Sequence, residues 1–214
     1  MNFKSNCFYT IGYAHHTQES FLNLLKKYHV QYVIDVRTMA YSKFHPQFNK
    51  EPLKYFLNSN GIGYKQMDDA FGIVRPHSQL LNSEGYLDFK KVAKLSQFEA
   101  GIDQMIRGIN QGYCIAFMCA EKAPSDCHRS TLVARTLMER GYKVWHILWD
   151  GTLQSQEALE EEIINRYFPY REQLDLFETE EPMYYTDRAY ELRSNEIVAV
   201  NSKRVLKDKY EKPK

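Results

Sequence analysis

The stretch CFYTIGYAHHTQESFLNLLKKYHVQYVIDVR, residues 7–37, places a helical period between two short apolar runs. The runs CFYTIG and VQYVIDVR are rich in β-branched and aromatic residues, which is typical of strands. Between them, Phe21, Leu24, Leu25 and Tyr28 recur at the i, i+3, i+4 and i+7 positions of one helix face. A strand, a helix and a second strand in this order predict a β-α-β unit with parallel strands.

The same alternation of strand-like and helix-like segments continues along the chain. Repeated β-α units predict an α/β fold with an open, mostly parallel sheet of about five strands and helices on both faces. Residues 68–87 have turn residues and weak periodicity, so we predict a long loop over one edge of the sheet there. The further strands are expected at IGYKQM, YCIAFMCAE and KVWHILW, and the further helices near 51–60, within 88–112, at 130–140 and around 159–167.

Length and composition predict one folded core with an appendage. The chain has 214 residues, and 43% of them are hydrophobic. We place an α/β core domain at 1–170 and a charged C-terminal extension at 171–214, because the apolar period lapses after Pro169. The sequence shows neither a signal-peptide pattern nor a long apolar run, so we expect a cytoplasmic protein with no membrane partner.

Net charge and cysteine spacing indicate which charged partners and which cysteine chemistry to expect. The net charge of +1 gives no overall attraction to nucleic acid or acidic membranes, so a charged partner has to use a local patch. The four cysteines form no CxxC pair and no small disulfide framework, so we expect free thiols. We predict no cofactor and no metal.

Chemically active residues follow the predicted strands, at the edge where parallel sheets bind ligands. The densest group is CAEKAPSDCHRST, residues 119–131, which joins a buried strand to a helix. Gly12 and His15 follow the first strand, and Arg37 follows the second. Because guanidinium and helix N–H groups attract anions, we predict that Arg129, Arg37, Gly12 and His15 bind an anionic group.

Four residues of this motif are candidate catalytic groups. Cys127 precedes a predicted helix and has His128 and Arg129 beside it, which favours a thiolate and makes Cys127 the candidate nucleophile. Cys119 is a candidate carrier, and Glu121 or His128 a candidate acid or base. The structural alternatives are a buried apolar role for Cys119 and a loop hydrogen-bonding role for Glu121.

Other polar residues have structural alternatives of their own. Asp35 and Arg37 can form an ion pair that ties strand ends together, and His146, inside a strand, is expected to be a hydrogen-bonded core residue. A zinc site from the two motif cysteines, His128 and a remote histidine is conceivable. Paired CxxC spacing is missing, so we do not predict one.

Three segments, TIGYA, VIDVR and CAEKAPSDCHR, carry a family resemblance. Together they resemble the bacterial and archaeal domain-of-unknown-function family 488, whose hallmark is CAE, a short spacer and CHR. The similarity spans about residues 10–167. Ala40 stands where the family usually has proline, and FGI at 71–73 replaces a Leu-Gly-Gly turn. The family name implies no activity, so function has to be inferred from the residues.

A weaker similarity connects the motif with rhodanese-type sulfurtransferases. Those proteins share an Asp-x-Arg after an early strand and place a catalytic cysteine before a helix that opens with Arg-Ser, as Arg129 and Ser130 do here. The spacing from Cys119 to Arg129 is longer than a compact cradle, and Cys-x5-Arg fits neither Cys119 nor Cys127. The resemblance therefore implies an anion-binding loop rather than a named reaction.

QLDLF is an apolar cluster in the charged C-terminal segment. Its residues match the pentapeptide with which bacterial polymerases and repair proteins bind the DNA sliding clamp; they are Gln173, Leu174, Asp175, Leu176 and Phe177. Pro169 and Pro182 flank a segment that can present an extended peptide to a hydrophobic groove. The alternative is that the apolar side chains pack onto the core as a clasp.

Three candidate functions follow from these features. The first is DNA maintenance, by an enzyme or accessory factor that has a cysteine and arginine anion site and a clamp-like peptide, with the basic tail 203–214 as a candidate DNA contact. The alternatives are a rhodanese-like thiol enzyme of small-molecule metabolism and a non-catalytic binding domain. Whether the protein is an enzyme stays open here. If it is one, we expect a cysteine-dependent reaction on an anionic small molecule or phosphate.

Overall fold

A six-stranded sheet forms the centre of the fold. The computed structural model describes residues 7–73, 78–171 and 182–210. The strands are β1 (Cys7–Gly12), β2 (Tyr32–Asp35), β3 (Gly63–Gln66), β4 (Ile115–Cys119), β5 (Lys143–Ile147) and β6 (Leu153–Ser155). They lie in the order β3-β2-β4-β1-β5-β6, with the first five parallel and β6 antiparallel to β5. The predicted α/β fold is confirmed, with one strand more than expected.

Eight α-helices accompany the strands in the described part of the chain. They are α1 (Gln18–Lys27), α2 (Lys50–Ser59), α3 (Asp68–Phe71), α4 (Phe89–Ala93), α5 (Ser96–Asn110), α6 (Arg135–Glu139), α7 (Gln156–Tyr167) and α8 (Pro182–Tyr210). The helix predicted within 88–112 is two helices, because Leu95 has an extended main chain and starts α5 as its N-cap. The predicted loop 68–87 includes the short helix α3 and a 3-10 turn at Ser78–Leu80.

Side chains of the central strands alternate between two apolar cores, one on each face of the sheet. In β4, Phe117 belongs to one core, and its neighbours Ala116 and Met118 belong to the other. Helices α1 and α2 cover the second face with buried apolar residues, and α5 covers the first. Helices therefore lie on both faces, as the apolar strand pattern predicts.

Helix α8 packs against α7 at the C-terminal end of the described chain. Ala189 and Tyr190 of α8 are buried with Leu159 and Ile163 of α7. Ile197 of α8 belongs to the core that contains Phe117. The division into a 1–170 core and an extension stays a prediction. The clamp-like residues Gln173, Leu174, Asp175, Leu176 and Phe177 lie outside the described residues. None of the described helices has both the length and the apolarity needed to cross a bilayer.

Three strands bring their carboxyl ends to one edge of the sheet, which we call the carboxyl edge. Gly12 pairs in register with Cys119, and Asp35 pairs with Met118. The ladder continues beyond the strands, since the N–H of Tyr13 donates to the carbonyl of Cys119 at 3.0 Å. The residues that follow β1, β2 and β4 therefore lie together, which confirms the predicted arrangement at this edge.

Candidate functional site

Cys127 lies immediately before a helical segment at the carboxyl edge. After β4, the chain makes a 3-10 turn at Pro124–Asp126 and enters the π-helical turn Arg129–Ala134, which continues into α6. The hydroxyl groups of Ser130 and Thr131 donate to the carbonyl of Cys127 at 2.9 and 3.3 Å. These bonds fix the main chain of Cys127 against the start of the helix.

The Cys127 sulfur is buried among groups that favour its thiolate form. The main-chain N–H of Arg129 donates to Cys127 Sγ at 3.4 Å, and His128 Nδ1 lies 3.9 Å from the same sulfur. Burial alone raises the pKa of Cys127, but hydrogen bonding by the Cys119 thiol and the charges of Arg129 and His128 outweigh it. The pKa of Cys127 is therefore well below its usual range.

His128 is oriented by the main chain of the neighbouring strand end. Its Nε2 lies 2.9 Å from the carbonyl oxygen of Val36, and a carbonyl can only accept, so Nε2 carries a hydrogen. In the neutral ring, Nδ1 then has a lone pair that faces Cys127. Burial lowers the pKa of His128, but Cys127 and Glu121 outweigh burial and raise it. Nδ1 is therefore placed to take the thiol proton of Cys127.

Cys119 is the second thiol of the site and stays protonated. Its S–H donates to Glu121 Oε2 at 3.0 Å, and the Cys127 thiolate is a second acceptor close by. The hydrogen bond with Cys127 and burial both raise the pKa of Cys119 well above its ordinary value. Burial also raises the pKa of the half-buried Glu121. The two thiols thus differ in protonation although they are neighbours.

The sulfur atoms of Cys119 and Cys127 and a ring nitrogen of His128 are close enough to bind one thiophilic metal ion. The donor atoms of Cys119, Cys127 and His128 lie within 4.8 Å of one another, and all three residues are buried. Two thiolates and one imidazole are ligands that zinc accepts, and the contact of His128 Nε2 with a carbonyl is typical of ligating histidines. No remote histidine belongs to this group among the described residues.

The two arginines of the site are mostly engaged by the protein itself. Arg129 is almost fully buried and donates to the carbonyl oxygens of Glu121 at 2.8 Å and Lys122 at 3.3 Å. Arg37 pairs with Asp35 at 2.6 Å and donates to the carbonyl of Phe48 at 2.9 Å. Within the described residues, Arg129 Nε and Arg37 Nη1 are buried without a hydrogen-bond partner. One nitrogen of each guanidinium is thus buried and unpaired within the described residues.

Gly12 and His15, the other predicted anion ligands, have different positions. A Cβ on Gly12 would lie 1.9 Å from the carbonyl oxygen of Glu121 and 3.2 Å from Arg129 Nη2, so only glycine fits here. Gly12 therefore allows the loop after β4 to approach β1. His15 is exposed, with a positive φ of 72°, and the structure does not bring it into the cysteine cluster. His16 is buried beside it, with Nδ1 3.2 Å from Ser20 Oγ.

Comparison with protein-family models matches residues 17–136 to the family described as Domain of unknown function DUF488. The matched segment is more than half of the chain and includes the whole 119–131 motif. The chain belongs to the DUF488 family. Neither the curated proteins nor the solved structures gave a match. The family resemblance expected from the cysteine motif is confirmed, and the weaker rhodanese likeness stays a prediction.

Arg193 of α8, which lies outside the segment matched to DUF488, contacts the 3-10 turn that precedes Cys127. Its Nε donates to the carbonyl of Ser125 at 2.7 Å, and its guanidinium also pairs with Asp126. The side chain is 8% exposed, so it fills space between α8 and the 3-10 turn before Cys127. The sequence does not predict this role of Arg193, because no local pattern marks contacts with residues 67 and 68 positions away.

A series of buried side-chain hydrogen bonds runs next to the DUF488 motif, where Gln156 Nε2 also contacts the carbonyl of Ser130. His146 lies 2.7 Å from Thr10 Oγ1 through Nδ1 and 2.8 Å from Gln156 Oε1 through Nε2. Gln156 Nε2 donates in turn to the hydroxyl of Tyr190 at 2.9 Å. Burial, with help from the charge of Arg129, lowers the pKa of His146 to about 3. His146 is the hydrogen-bonded core residue that the sequence predicts.

Tyr13 is a further residue of the site that sequence analysis missed. Its ring stacks on Phe48 with centroids 4.6 Å apart, and the guanidinium of Arg37 lies 5.0 Å from the ring centroid. Burial raises the pKa of Tyr13, although the charge of Arg37 opposes this, and the hydroxyl is therefore neutral. Tyr13, which follows β1, thus makes a cation–π contact with Arg37.

Proposed function

We propose that the protein is a cysteine-dependent enzyme that acts on a small anionic substrate through a Cys127 thiolate. The observation that carries the proposal is the position of Cys127 Sγ, which receives the N–H of Arg129 at 3.4 Å and faces His128 Nδ1 at 3.9 Å. A thiol paired with an imidazole before a helical turn is the arrangement that activates cysteine nucleophiles. A cytoplasmic location is part of the proposal.

Each catalytic candidate has a distinct task in this proposal. Cys127 is the nucleophile, and His128 takes its proton and returns it to the leaving group. Cys119 and Glu121 form a neighbouring hydrogen-bonded pair, in which the thiol of Cys119 donates to the carboxylate of Glu121 at 3.0 Å. Cys127 is fully buried whereas Glu121 is half-buried, so a substrate has to be small or the loop before Cys127 has to open.

An anionic substrate is supported by two buried guanidinium nitrogens. Arg129 Nε and Arg37 Nη1 lack a partner among the described residues, and an unpartnered buried donor is costly unless something binds it. Both arginines lie at the carboxyl edge, and Arg129 directly follows Cys127 and His128 in the chain. Gly12 contributes by leaving room for the loop, and His15 is the solvent-facing member of the predicted set.

Alkylation of Cys127 is expected to be nearly independent of pH between 6.5 and 8.5. For a free thiol with a pKa of about 8.5, the thiolate fraction falls roughly fiftyfold as the pH is lowered from 8.5 to 6.5. For a thiol with a much lower pKa, the thiolate fraction changes little over the same interval. The measurement is the rate of iodoacetamide modification at Cys127, followed by peptide mass spectrometry.

Two variants make this measurement decisive. Cys127→Ser should remove the pH-independent reaction, and Cys114→Ser should leave it unchanged, because the Cys114 thiol contacts the carbonyl of Tyr28, outside the site. A Cys127 rate that rises steeply up to pH 8.5 or beyond would assign the motif to structure.

Inorganic phosphate is expected to stabilise the protein against unfolding. A ligand that binds only the native state adds about 1–3 kcal/mol when its concentration is ten- to hundredfold above its Kd. The measurement is a thermal melt in phosphate against chloride of equal ionic strength. Arg129→Lys, which keeps the charge and loses Nε, should reduce the shift. Arg140→Gln changes a partly exposed arginine away from the site and should preserve it. Equal shifts in wild type and Arg129→Lys would count against Arg129 as a ligand.

A second candidate function, DNA maintenance, is favoured by the QLDLF sequence match. In this proposal, Leu176 and Phe177 anchor the peptide in the apolar groove of a bacterial sliding clamp, and the basic tail 203–214 contacts DNA. Peptide anchors of this kind carry most of the binding energy. The enzyme and the clamp peptide are compatible, because a DNA-processing enzyme needs both a chemical site and recruitment.

Replacing both anchors, Leu176→Ala with Phe177→Ala, is expected to weaken clamp binding by at least about 2 kcal/mol, roughly thirtyfold. Surface plasmon resonance with immobilised clamp measures this, and Met183→Ala is the matched control, since Met183 is exposed. A melting curve of the double variant tests the clasp alternative, in which the same changes cost several kcal/mol of stability. A wild type that does not bind the clamp defeats the recruitment proposal.

A further inference from the structure

Two of the four cysteines lie side by side, and each has its own proton acceptor. The sulfur atoms of Cys119 and Cys127 lie within 4.8 Å of each other. Glu121 Oε2 accepts from the Cys119 S–H at 3.0 Å, and the lone pair of His128 Nδ1 faces Cys127 at 3.9 Å. A nucleophilic cysteine needs one base. A second thiol with a second base is what an exchange reaction in two steps requires.

We propose that Cys119 and Cys127 form a dithiol–disulfide couple that reduces small disulfides bearing carboxylate groups. The inference rests on the proposed function, because Cys127 is the nucleophile in both. It adds the class of substrate and gives Cys119 the role of resolving thiol. The preference for carboxylates belongs to the proposal and rests on the charges of Arg37 and Arg129, each of which has one buried nitrogen unpaired within the described residues.

The reaction balances in two displacements. The Cys127 thiolate attacks one sulfur of the substrate R–S–S–R, a bond to that sulfur forms, and RS⁻ leaves and takes the proton from His128. Glu121 then takes the proton of Cys119, whose sulfur attacks Cys127 Sγ. The second RS⁻ leaves and takes the proton from Glu121. Two electrons pass from the protein dithiol to the substrate, and a low-molecular-mass thiol has to reduce the protein disulfide for turnover.

The fold determines which of the two sulfurs moves. A disulfide bond is about 2.0 Å long, so the two sulfur atoms have to come closer than in the reduced protein. Cys119 ends β4, a strand that is paired on both sides, with β1 and β2. Cys127 follows the 3-10 turn Pro124–Asp126, which belongs to no strand. Closure of the disulfide therefore moves Cys127 and withdraws its sulfur from the N–H of Arg129.

Peptide mapping of the oxidised full chain tests the couple. Reduced, desalted protein is incubated with oxidised glutathione, a disulfide that carries carboxylates, and is digested with trypsin without reduction. Trypsin cleaves after Arg107, Lys122 and Arg129, so peptide 108–122, which contains Cys114 and Cys119, stays with peptide 123–129 only through a disulfide to Cys127. The same linked pair in Cys114→Ser then assigns the bond to Cys119. We expect this linked pair in wild type, with two of the four thiols lost per chain.

Variants and metal analysis complete the test. Cys119→Ser should stop at a mixed disulfide on Cys127, and Cys114→Ser should behave as wild type. Free, reactive Cys127 without any linked peptide in wild type would overturn the couple and leave the proposed function standing. Loss of the pH-independent alkylation as well would remove both. One equivalent of zinc in the purified chain, lost in both Cys119→Ser and Cys127→Ser, would also overturn the couple, because both sulfurs would then be ligands.

Discussion

Asp35→Asn is expected to lower the free energy of unfolding by about 3–5 kcal/mol, because it leaves a buried arginine without its counter-ion. Asp35 is fully buried and accepts from the Nε and Nη2 of Arg37, at 2.9 and 2.6 Å. It also accepts from the hydroxyl of Tyr64 at 2.6 Å. Asparagine has the same shape, but its Nδ2 donates, so the change removes the charge and one of the two acceptor oxygens.

Urea unfolding at pH 7 measures this loss, and Asp103→Asn is the matched control. Asp103 forms an ion pair with Arg140 at 2.8 Å, but its side chain is 54% exposed. An exposed pair contributes about 1 kcal/mol or less. If Asp35→Asn costs no more than Asp103→Asn, then Arg37 has another counter-charge and the ion-pair interpretation is wrong. If the large loss is observed, the Asp35–Arg37 pair is confirmed as structural, whatever else Arg37 binds.

Acid is expected to destabilise the protein through His146. Its pKa of about 3 in the folded protein lies below the roughly 6.5 of an unfolded histidine, so the unfolded chain binds the proton first. The stabilising contribution is therefore complete above pH 6.5 and is lost as the pH falls towards 3. From the two pKa values the loss is about 2–3 kcal/mol between pH 7 and 4.5, and on the order of 4 kcal/mol near pH 3.

The measurement compares urea unfolding of wild type and His146→Gln at several pH values. Glutamine does not titrate but can still hydrogen-bond to Thr10 and Gln156, so the difference between the two curves isolates the histidine proton. His29→Asn is the control, since His29 is exposed and its φ of 54° suits asparagine. Parallel curves for wild type and His146→Gln would show that the pKa of His146 is the same in the folded and unfolded protein, and would contradict the prediction.

Much of the fold could be predicted from the sequence, because a strand buried on both faces is apolar along its whole length. Strand β4 is such a run, and its two neighbours follow the same rule. Strand β6 was missed, since Leu153–Ser155 is short, edge-lying and without apolar alternation. Helix α8 was missed because it buries polar residues such as Arg193 and Ser194, whose partners come from distant segments.

The cysteine motif predicts which residues of the candidate site are neighbours. The sequence identifies Cys119, Glu121, Cys127 and His128 as neighbours after one strand, and the structure brings them together. Other features depend on contacts between segments, which residue types do not encode. The carbonyl of Val36 that orients His128 is one example, because any residue has a carbonyl. The engagement of both arginines by main-chain oxygens is another.

The matched family segment begins after β1 and ends before β5. Strand β4 lies between β2 and β1, so a protein fragment cut to 17–136 would leave one side of its most apolar strand without a neighbour. The open N–H and C=O groups would then pair with other copies of the fragment, which is the route by which exposed strands aggregate. Solubility on expression therefore depends on residues outside the segment that matches the family model.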